Sequence, residues 1–468
     1  MGFVREATRI AVTLVALVAF AGATPALADD FANGVQAYTK GQFDVAFGEF
    51  QRLAEIGHAR AQYTLAIMHI RGEGTPKSTG LGYSWMKVAA ANGYPQAQDR
   101  MKEWLGLESV EDLRAAKELM AQFGPEAIAR KLLPQEDCSP LEHGVTTPPR
   151  KVKVPRPSYP LQALMDALAG WVVAIIYIDS DGDARDVRIM EALPRGEFET
   201  AVTRSLMGST WEPATSDAKP VGAWARFSFH FSPMSEGEMS AAIGRHLQDL
   251  GTQADAGDAS AQYVSSILLD YTGYDEHYDA RRSRDLMEKA ARGGLPEAQY
   301  HYGQLIEPSS CGNGRVGNVH WIHQAAAAGI PPAELWLAER ILKGDLDGKV
   351  RGEAGMFWLE RAAARKYPPA MKALAAALTT APVSDPARSL SISEELLKRY
   401  SFDPAVHELR ASAYAALGDF KKAVSAQTEA AERAQKLNWS RVGIEQALED
   451  YRNRRVRSTP VLCGDQDT

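Results

Sequence analysis

Alanine recurs in this chain at a nearly constant interval, at the same place in several similar helical segments. Ala261, Ala298, Ala333 and Ala370 are separated by 37, 35 and 37 residues. An interval of this length predicts stacked pairs of helices, because a single pair cannot bury its apolar face without a neighbour. The period therefore predicts a helical-repeat architecture for a large part of the chain.

A second segment of each repeat carries the partner helix. It reads WMKVAAANG from Trp85, LMEKAARGG from Leu286, WIHQAAAAG from Trp321 and WLERAAARK from Trp358. Paired alanines let two helices approach closely, the aromatic residue fills the gap between them, and glycine ends the helix. We therefore interpret the recurring tryptophans, including Trp336, as core residues.

The same pattern occurs near the N-terminus, where 36 residues separate the equivalent Ala61 and Ala97. These segments resemble Sel-one-like repeats, and the resemblance covers Gly57–Gln98 and Ala259–Leu378. Residues 34–50 and 404–434 are similar to the related tetratricopeptide repeats. A last helix, near residues 440–454, is expected to cap the array with a polar outer face.

A stretch in the middle of the chain has the pattern of β-structure. Gly170–Asp179 is dense in β-branched and aromatic residues, Ser180–Asp183 supplies an Asp-Gly turn, and Ala184–Glu191 is the predicted return strand. Helical spacing follows in Glu197–Pro213. In the last strand the inward residues alternate with outward ones: Ala225, Phe227, Phe229 and Phe231 face in, and Arg226, Ser228 and His230 face out.

This order of short helix, hairpin, helix and strand resembles the C-terminal domain of the energy transducer TonB. The residues that carry the resemblance are Pro157, Ser158, Tyr159, Pro160, Gly170, Asp181, Gly182, Phe198, Ala201, Trp211, Glu212, Pro213 and the phenylalanines of the last strand. The resemblance implies a periplasmic domain that binds proteins, in the best-known members outer-membrane receptors, by strand addition. We expect Tyr159, Trp171, Trp211 and Phe231 mostly to hold the domain together and the edge backbone to do the binding.

The N-terminus has the pattern of a secretory signal. Arg5 and Arg9 precede the apolar run Ile10–Ala21, and Ala26 and Ala28 form a small-residue cleavage site. We expect cleavage after Ala28 and a periplasmic mature protein; an uncleaved membrane anchor is the alternative. The net charge of −7 and the absence of a basic stripe make nucleic acid an unfavourable partner.

Three cysteines, Cys138, Cys311 and Cys463, allow one disulfide or three unpaired thiols, and the sequence does not select a pair. Two further motifs have an ordinary structural interpretation. The GxGxxG pattern at Gly312, Gly314 and Gly317 falls in the turn of a helical repeat and lacks the strand that a dinucleotide site needs. The SxxK pattern at Ser84 and Lys87 precedes the packing tryptophan of its repeat and has no companion motif.

Two groups of residues have the composition of metal ligands. Asp179, Asp181 and Asp183 imitate the start of a calcium loop, but position 184 is alanine where the loop needs glycine, so we predict a hairpin turn. A second candidate is the set His301, His320 and His323, for which we favour solvated or helix-cap positions over a metal site. We therefore expect no metal, no cofactor and no catalytic residues.

The predicted fold class is multidomain α + α/β, with helical-repeat solenoids flanking a small TonB-like antiparallel β-hairpin/helix/strand domain. The predicted segments are a signal peptide (1–28), helical repeats (29–133), a proline-rich linker (134–154), the TonB-like domain (155–232), Sel-one-like repeats (233–381), a tetratricopeptide-like repeat with its capping helix (382–456) and a loose tail (457–468).

The predicted function is a periplasmic, non-catalytic protein-binding scaffold whose partners are proteins, including cell-envelope or outer-membrane components, with no small-molecule substrate. An insertion that breaks the repeat, with Tyr271, Tyr274, His277 and Tyr278, is the candidate partner-contact surface. The alternative is a TonB-type transducer that couples inner-membrane energy to outer-membrane transport. That function needs a retained anchor and a long proline-rich span across the periplasm.

Overall fold

The computed structural model describes residues 30–103, 109–134, 147–233, 247–271, 280–306, 317–343, 349–379 and 384–457. They belong to two compact units, each built from segments that are distant in sequence. The repeat unit comprises Ala26–Pro140 and Ile243–Arg365. The described part of the sheet unit lies within Leu141–Ala242 and Lys366–Thr468.

Helices form all of the repeat unit's described secondary structure. Before the sheet they are α1 (Asp30–Thr39), α2 (Phe43–Glu55), α3 (Ala59–Arg71), α4 (Thr79–Ala91), α5 (Pro95–Glu103), α6 (Val110–Phe123) and α7 (Pro125–Leu132). Residues 247–255 are also helical. The later helices are α10 (Ala259–Tyr271), α11 (Ala280–Arg292), α12 (Pro296–Leu305), α13 (Asn318–Ala328), α14 (Pro331–Lys343) and α15 (Lys349–Ala364).

The predicted roles of alanine and tryptophan in the repeats are largely confirmed. Ala61, Ala298 and Ala333 are fully buried, as is Trp358. Trp85 and Trp321 are also buried, whereas Trp336 is half-buried, with the guanidinium of Arg340 lying 4.5 Å from its ring centre. A tryptophan at that position therefore lies at the edge of the core.

Glutamine beside the repeating alanine makes a recurrent hydrogen bond. The side-chain amide nitrogens of Gln62 and Gln262 donate to the backbone oxygens of Ala54 and Ala254, each at 2.9 Å, and that of Gln299 donates to the backbone oxygen of Ala291 at 3.3 Å. Each acceptor lies in the last turn of the preceding helix, where carbonyl groups have no partner within their own helix. The glutamine thus ties neighbouring helix pairs together.

Helices that precede the sheet in sequence pack against helices that follow it. The imidazole Nε2 of His323 lies 2.8 Å from the backbone oxygen of Ile56, and the side chain of Gln324 bonds both the oxygen of Gly57 and the nitrogen of Ala59 at 3.2 Å. The indole nitrogen of Trp358 donates to the oxygen of Leu132 at 2.8 Å. The repeats that precede the sheet in sequence and those that follow it therefore form one stack within the repeat unit.

The strands of the sheet unit are β1 (Arg150–Lys153), β2 (Gly170–Ile178), β3 (Ala184–Leu193), β4 (Thr210–Glu212), β5 (Ala214–Ser216), β6 (Lys219–Val221) and β7 (Ala223–Phe231). The helices α8 (Leu161–Met165) and α9 (Glu199–Met207) accompany them. The main sheet is antiparallel with the order β3-β2-β7, and β1-β4 and β5-β6 form two small pairs. These elements confirm the predicted hairpin, helix and final strand.

The described part of the sheet unit also contains the helices α16 (Pro368–Ala377), α17 (Pro386–Tyr400), α18 (Pro404–Ala416), α19 (Phe420–Leu437) and α20 (Val442–Arg452). Aspartates begin three of them, since the carboxylates of Asp385, Asp403 and Asp419 accept backbone N–H groups of the first turn. The buried core of the β-domain continues into this helical group through Ala430, Ala434, Trp439 and Ile444. Sheet and C-terminal helices therefore share one core.

The structure differs from the predicted segments in two places. The linker was expected to run to residue 154, but Arg150–Lys153 forms β1, whose residue Lys151 pairs with Trp211 of β4. The repeats expected over residues 233–381 are divided at Arg365, and the helices beyond it belong to the sheet unit. A repeat pattern reports packing between neighbouring helices, and it carries no information on which larger core they join.

Candidate protein-interaction site

The turn of the β2–β3 hairpin is organised by one aspartate. Oδ1 of Asp179 accepts the backbone N–H groups of Asp181 (3.0 Å) and Asp183 (2.9 Å). Gly182 has a φ of +86°, and a Cβ there would lie 2.4 Å from the backbone oxygen of Trp211. Glycine is required at this position because any side chain would be both strained and obstructed. The predicted hairpin turn is confirmed.

Carboxylate oxygens of Asp179, Asp181 and Asp183 all lie within 4.8 Å of one another. The guanidinium of Arg185 already binds two of the three groups, with Nε 2.6 Å from Oδ2 of Asp179 and Nη2 3.1 Å from Oδ2 of Asp183. Arginine thereby supplies the positive charge that the aspartates need. The arrangement is a structural ion-pair cluster.

The hairpin is joined to the C-terminal helices by polar contacts. The backbone nitrogen of Ser440 donates to Oδ2 of Asp183 at 2.6 Å, and the guanidinium of Arg185 lies 4.8 Å from the ring centre of Trp439. Burial raises the pKa of Asp183 to about 6, against the opposing effects of Arg185 and the Ser440 N–H group. The carboxyl group is thus held away from water next to the segment that joins α19 to α20.

Strand β3 contacts the same helical group through a buried carboxylate. Asp186 accepts from Nε of Arg188 at 2.8 Å and from Nζ of Lys372 at 3.4 Å, and that ammonium also lies 3.3 Å from Asp403. Burial would raise the pKa of Asp186, but the two cations outweigh it and hold the pKa at about 2. Lys372 therefore bridges β3, α16 and the start of α18.

Strand β7 lies at the other side of the sheet. Among the strands that the structure describes, β2 is its one neighbour, with Gly170 opposite Phe231 and Ile178 opposite Ala223. Its residues alternate in exposure as predicted, from half-buried Ala225 to exposed Arg226 and onwards along the strand. Among the described strands β7 is thus an outer strand of the sheet, which is the position at which strand addition takes place.

Four aromatic residues were predicted to hold this domain together. Trp171, Trp211 and Phe231 are buried, and Tyr159 is half-buried with its ring edge-on to both Phe198 and Phe231 at 5.7 and 5.6 Å. The hydroxyl of Tyr159 donates to the backbone oxygen of Leu168. The predicted packing role is confirmed for Tyr159, Trp211 and Phe231, which belong to the domain's core or pack against it.

The three histidines considered as metal ligands have other surroundings. His323 is buried in the stack, and burial lowers its pKa and that of His320 to about 4. The ring of His301 lies 5.9 Å from that of Tyr263. Within the described ranges, the one group that could place three metal-ligating side chains together is the aspartate cluster. His323 is buried in the stack and His320 is half-buried, so a solvated or cap position was the wrong expectation for His323.

The described residues of the SxxK and GxGxxG patterns have the structural roles that the sequence predicted. The hydroxyl of Ser84 donates to the backbone oxygen of Gly80 at 2.8 Å, and the ammonium of Lys87 lies over the ring of Tyr83. Gly317 precedes the first turn of α13, and Gly312 and Gly314 lie outside the described residues.

Several predicted features also lie outside the described residues. They are the signal segment, Cys138, Cys311, Cys463, the residues Tyr274, His277 and Tyr278 of the insertion, and the tail from residue 458. Tyr271 ends α10, but its side chain is outside the described part of the chain as well. The partner-contact role of this insertion stays a prediction.

Sequence reasoning missed the residues that join the sheet to the C-terminal helices. Lys372 stands at the repeat position that Tyr63, Tyr263 and Tyr300 occupy elsewhere, so a charge had replaced an aromatic residue. Trp439 follows a helix that ends at Leu437 and lies outside the tryptophan position of the repeats. Both departures from the repeat pattern are visible in the sequence, and both could have indicated that these helices contact the β-domain.

The fold defines a helical-repeat protein that contains a small antiparallel-sheet domain. Residues 155–233 match the model of the family described as Gram-negative bacterial TonB protein C-terminal. No curated protein matches the chain. The matched domain and the helical-repeat fold suggest a protein-interaction scaffold. Within the described ranges, no helix has the length and apolar character needed to cross a membrane.

Three solved structures are similar to parts or most of the chain. The TonB C-terminal domain of Pseudomonas aeruginosa is 25% identical, with a TM-score of 0.18, and the match covers 20% of this chain and 98% of that one. The protective antigen c5321 of uropathogenic Escherichia coli, which has an SLR fold, is 16% identical with a TM-score of 0.32, covering 93% and 80%. A Sel1 repeat protein from Oxalobacter formigenes is 16% identical with a TM-score of 0.33, covering 94% and 93%.

Proposed function

We propose that this protein is a periplasmic, non-catalytic scaffold that binds partner proteins of the cell envelope through strand addition to β7. The proposal rests on a difference between the β2–β3 hairpin and strand β7 in the contacts that they make. The β2–β3 hairpin is bound to the protein's own C-terminal helices through Asp183, Arg185 and Asp186. Strand β7 has β2 as its single described strand neighbour, and strand addition would use the backbone groups of its other edge.

Strand addition draws its affinity from main-chain hydrogen bonds and needs no reactive side chain. The titratable groups of the hairpin are bound to one another, as in the contacts of Arg185 with Asp179 and Asp183. A role in binding is consistent with this arrangement. The stacked repeats add a second, extended surface for partner proteins.

A photo-crosslinking amino acid at Ser228, an exposed residue of β7, tests the docking role in living cells. The matched control places it at Thr428 on α19, which is also exposed. We expect a defined envelope protein to crosslink from position 228 and not from position 428, and a synthetic strand of that protein to compete. Equal crosslinking from both positions would contradict docking at β7.

The compartment and the transducer alternative are tested by the mature N-terminus. A periplasmic scaffold begins at Asp29 and is released from cells with the periplasmic contents. A TonB-type transducer, the candidate favoured by the match over residues 155–233, retains its first 28 residues and stays with the inner membrane. Mass spectrometry of the purified native chain distinguishes the two.

A further inference from the structure

The main sheet has an inner face, which belongs to the core, and an outer face. Register places Tyr177 of β2 beside Trp224 of β7, and Ile175 beside Arg226, and all four side chains belong to the outer face. The inner face carries the alternate residues Ile176 and Ala225, which contribute to the core. The outer face of β7 therefore begins with an aromatic residue and then a cation, two positions apart.

Trp224 is held in place and yet exposed. Its ring centre lies 5.4 Å from that of Tyr177, and the guanidinium of Arg188 lies 4.5 Å above it. The charge of Arg188 is neutralised by Asp186 at 2.8 Å. Trp224 remains 41% exposed, which is unusual for so large an apolar side chain. Tyr177 of β2 and Arg188 of β3 thus hold the indole of Trp224 in place while part of its surface stays exposed.

Arg226 is the charged residue of this face that the described protein leaves unneutralised. Its side chain is exposed, and within the described ranges it has no ion pair or side-chain hydrogen bond. Its neighbour on β2, Ile175, is apolar. A strand that paired with the second edge of β7 would bring its own side chains to within about 5 Å of Arg226 and Trp224.

We propose that Trp224 and Arg226 select the strand that adds to β7. The strand carries an acidic residue beside Arg226 and, two positions away, a large apolar residue beside Trp224. The spacing follows from the period of two in any strand and holds for parallel and antiparallel addition. This inference rests on the proposed strand addition and adds the chemistry of the partner.

Synthetic peptides of nine residues, the length of β7, test the selection. The first has a central valine, a glutamate two positions to either side and threonine elsewhere, so that both strand directions present the same pattern. The second has lysine in place of each glutamate, and the third is the first with alternate backbone nitrogens methylated. Binding to the full-length protein is measured by fluorescence anisotropy at low salt.

We expect the glutamate peptide to bind about fivefold to tenfold more tightly than the lysine peptide, since opposite charges across strands attract and like charges repel. The substitution Arg226→Glu reverses this order. The substitution Lys421→Glu changes the net charge equally at an exposed site on α19 and leaves the order unchanged. The preference shrinks at about 1 M salt because the pair is exposed.

Trp224→Ala separates the apolar contact from the ionic one. It should remove the advantage of a central valine over a central alanine while keeping the preference for glutamate. Circular dichroism of each variant checks that the sheet is intact.

The two proposals fail in distinguishable ways. If the glutamate and lysine peptides bind equally and the methylated peptide does not bind, strand addition stands and side-chain selection is wrong. If no peptide binds, or if methylation has no effect, both are wrong.

Discussion

The indole N–H of Trp439 donates a hydrogen bond to the backbone oxygen of Met207 at 3.1 Å. Trp439 follows α19 of the C-terminal helices, and Met207 ends α9 of the β-domain. Both residues are almost completely buried in the same core. The β-domain matches a family model by itself, over residues 155–233. In this protein it is anchored by a tryptophan that follows the C-terminal helix α19.

Replacing Trp439 by alanine should therefore destabilise the sheet unit by about 3–5 kcal/mol, the range for a buried aromatic residue. Trp439→Phe keeps most of the apolar contact and loses the hydrogen bond to Met207, so a cost of about 1–2 kcal/mol is expected. Urea unfolding, followed by circular dichroism, measures both. Trp224→Ala is the control, because the exposed indole should cost under about 1 kcal/mol; equal losses at positions 224 and 439 would refute the anchoring role.

Asp186 should make the sheet unit sensitive to strong acid. Its pKa is about 2 in the folded protein and 3.8 in its ordinary state. A carboxyl pKa that is lowered in the folded protein stabilises the fold at pH values above the group's ordinary pKa. This stabilisation is about 2 kcal/mol, and it is lost as the pH falls from about 4 to 2. Asp186→Asn should therefore be less stable than the natural protein at pH 6, with the difference vanishing near pH 2. Urea unfolding at the two pH values measures the difference, with the variant Asp181→Asn at an exposed site as the control.

Glu408 should have the opposite pH dependence. Its carboxyl group is enclosed although the residue as a whole is half-buried, and burial raises its pKa to about 7, against the lowering effects of Arg185, Gln427 and Arg457. Asp403, which is also nearby, raises it further. When a carboxyl pKa is raised in the folded protein, its full contribution to stability is present at pH values below the ordinary pKa of 4.5. That contribution is lost as the pH rises through 7.

Glu408→Gln should remove this dependence. Relative to the natural protein, the variant should gain stability between pH 5 and pH 8, by as much as about 3 kcal/mol. Thermal unfolding at the two pH values, with the exposed Glu432→Gln as control, measures the change. A constant difference between Glu408→Gln and the natural protein at both pH values would show that the carboxyl group does not titrate there.

The elements that sequence could predict are those set by local periodicity. The 35–37-residue alanine period predicts the helix pairs, and the alternation in β7 predicts its exposure pattern, because both depend on neighbours close in sequence or on one repeating contact. The glycine predicted to end the repeat helices has a φ of +92° at Gly93 and +100° at Gly329. At the equivalent position of the segment that starts at Trp358, Lys366 takes this conformation, with a φ of +59°.

The parts that could not be predicted depend on contacts between distant segments. Ala430 and Ala434 look like ordinary repeat alanines, yet they pack against the core of the β-domain. Arg150–Lys153 has no strand pattern, and it becomes a strand because β4 is beside it. For the candidate site, the sequence predicted the faces of β7, whereas its position at the sheet edge needed the strand order.

One repeat also replaces a neutral pair by a charged one. In the first repeat, the amide nitrogen of Asn92 donates to the side-chain oxygen of Gln62 at 2.8 Å. At the equivalent positions of a later repeat, Glu334 is fully buried and Arg365 lies 3.4 Å from it, with Arg361 at 2.9 Å on its other oxygen. A buried carboxylate that neutralises two cations cannot be removed without leaving charge in the core.

Glu334→Gln should therefore destabilise the repeat unit by about 3 kcal/mol, because it leaves two half-buried guanidinium groups without the carboxylate they bind. The double variant Glu334→Gln/Arg365→Asn recreates the pair found at Gln62 and Asn92, removes one of the two cations, and should recover at least about 1 kcal/mol of that loss. Arg365→Asn alone keeps Glu334 paired with Arg361 and should cost less than Glu334→Gln. Urea unfolding of the three variants gives the coupling energy, and strictly additive losses would mean that the two positions do not act as a pair.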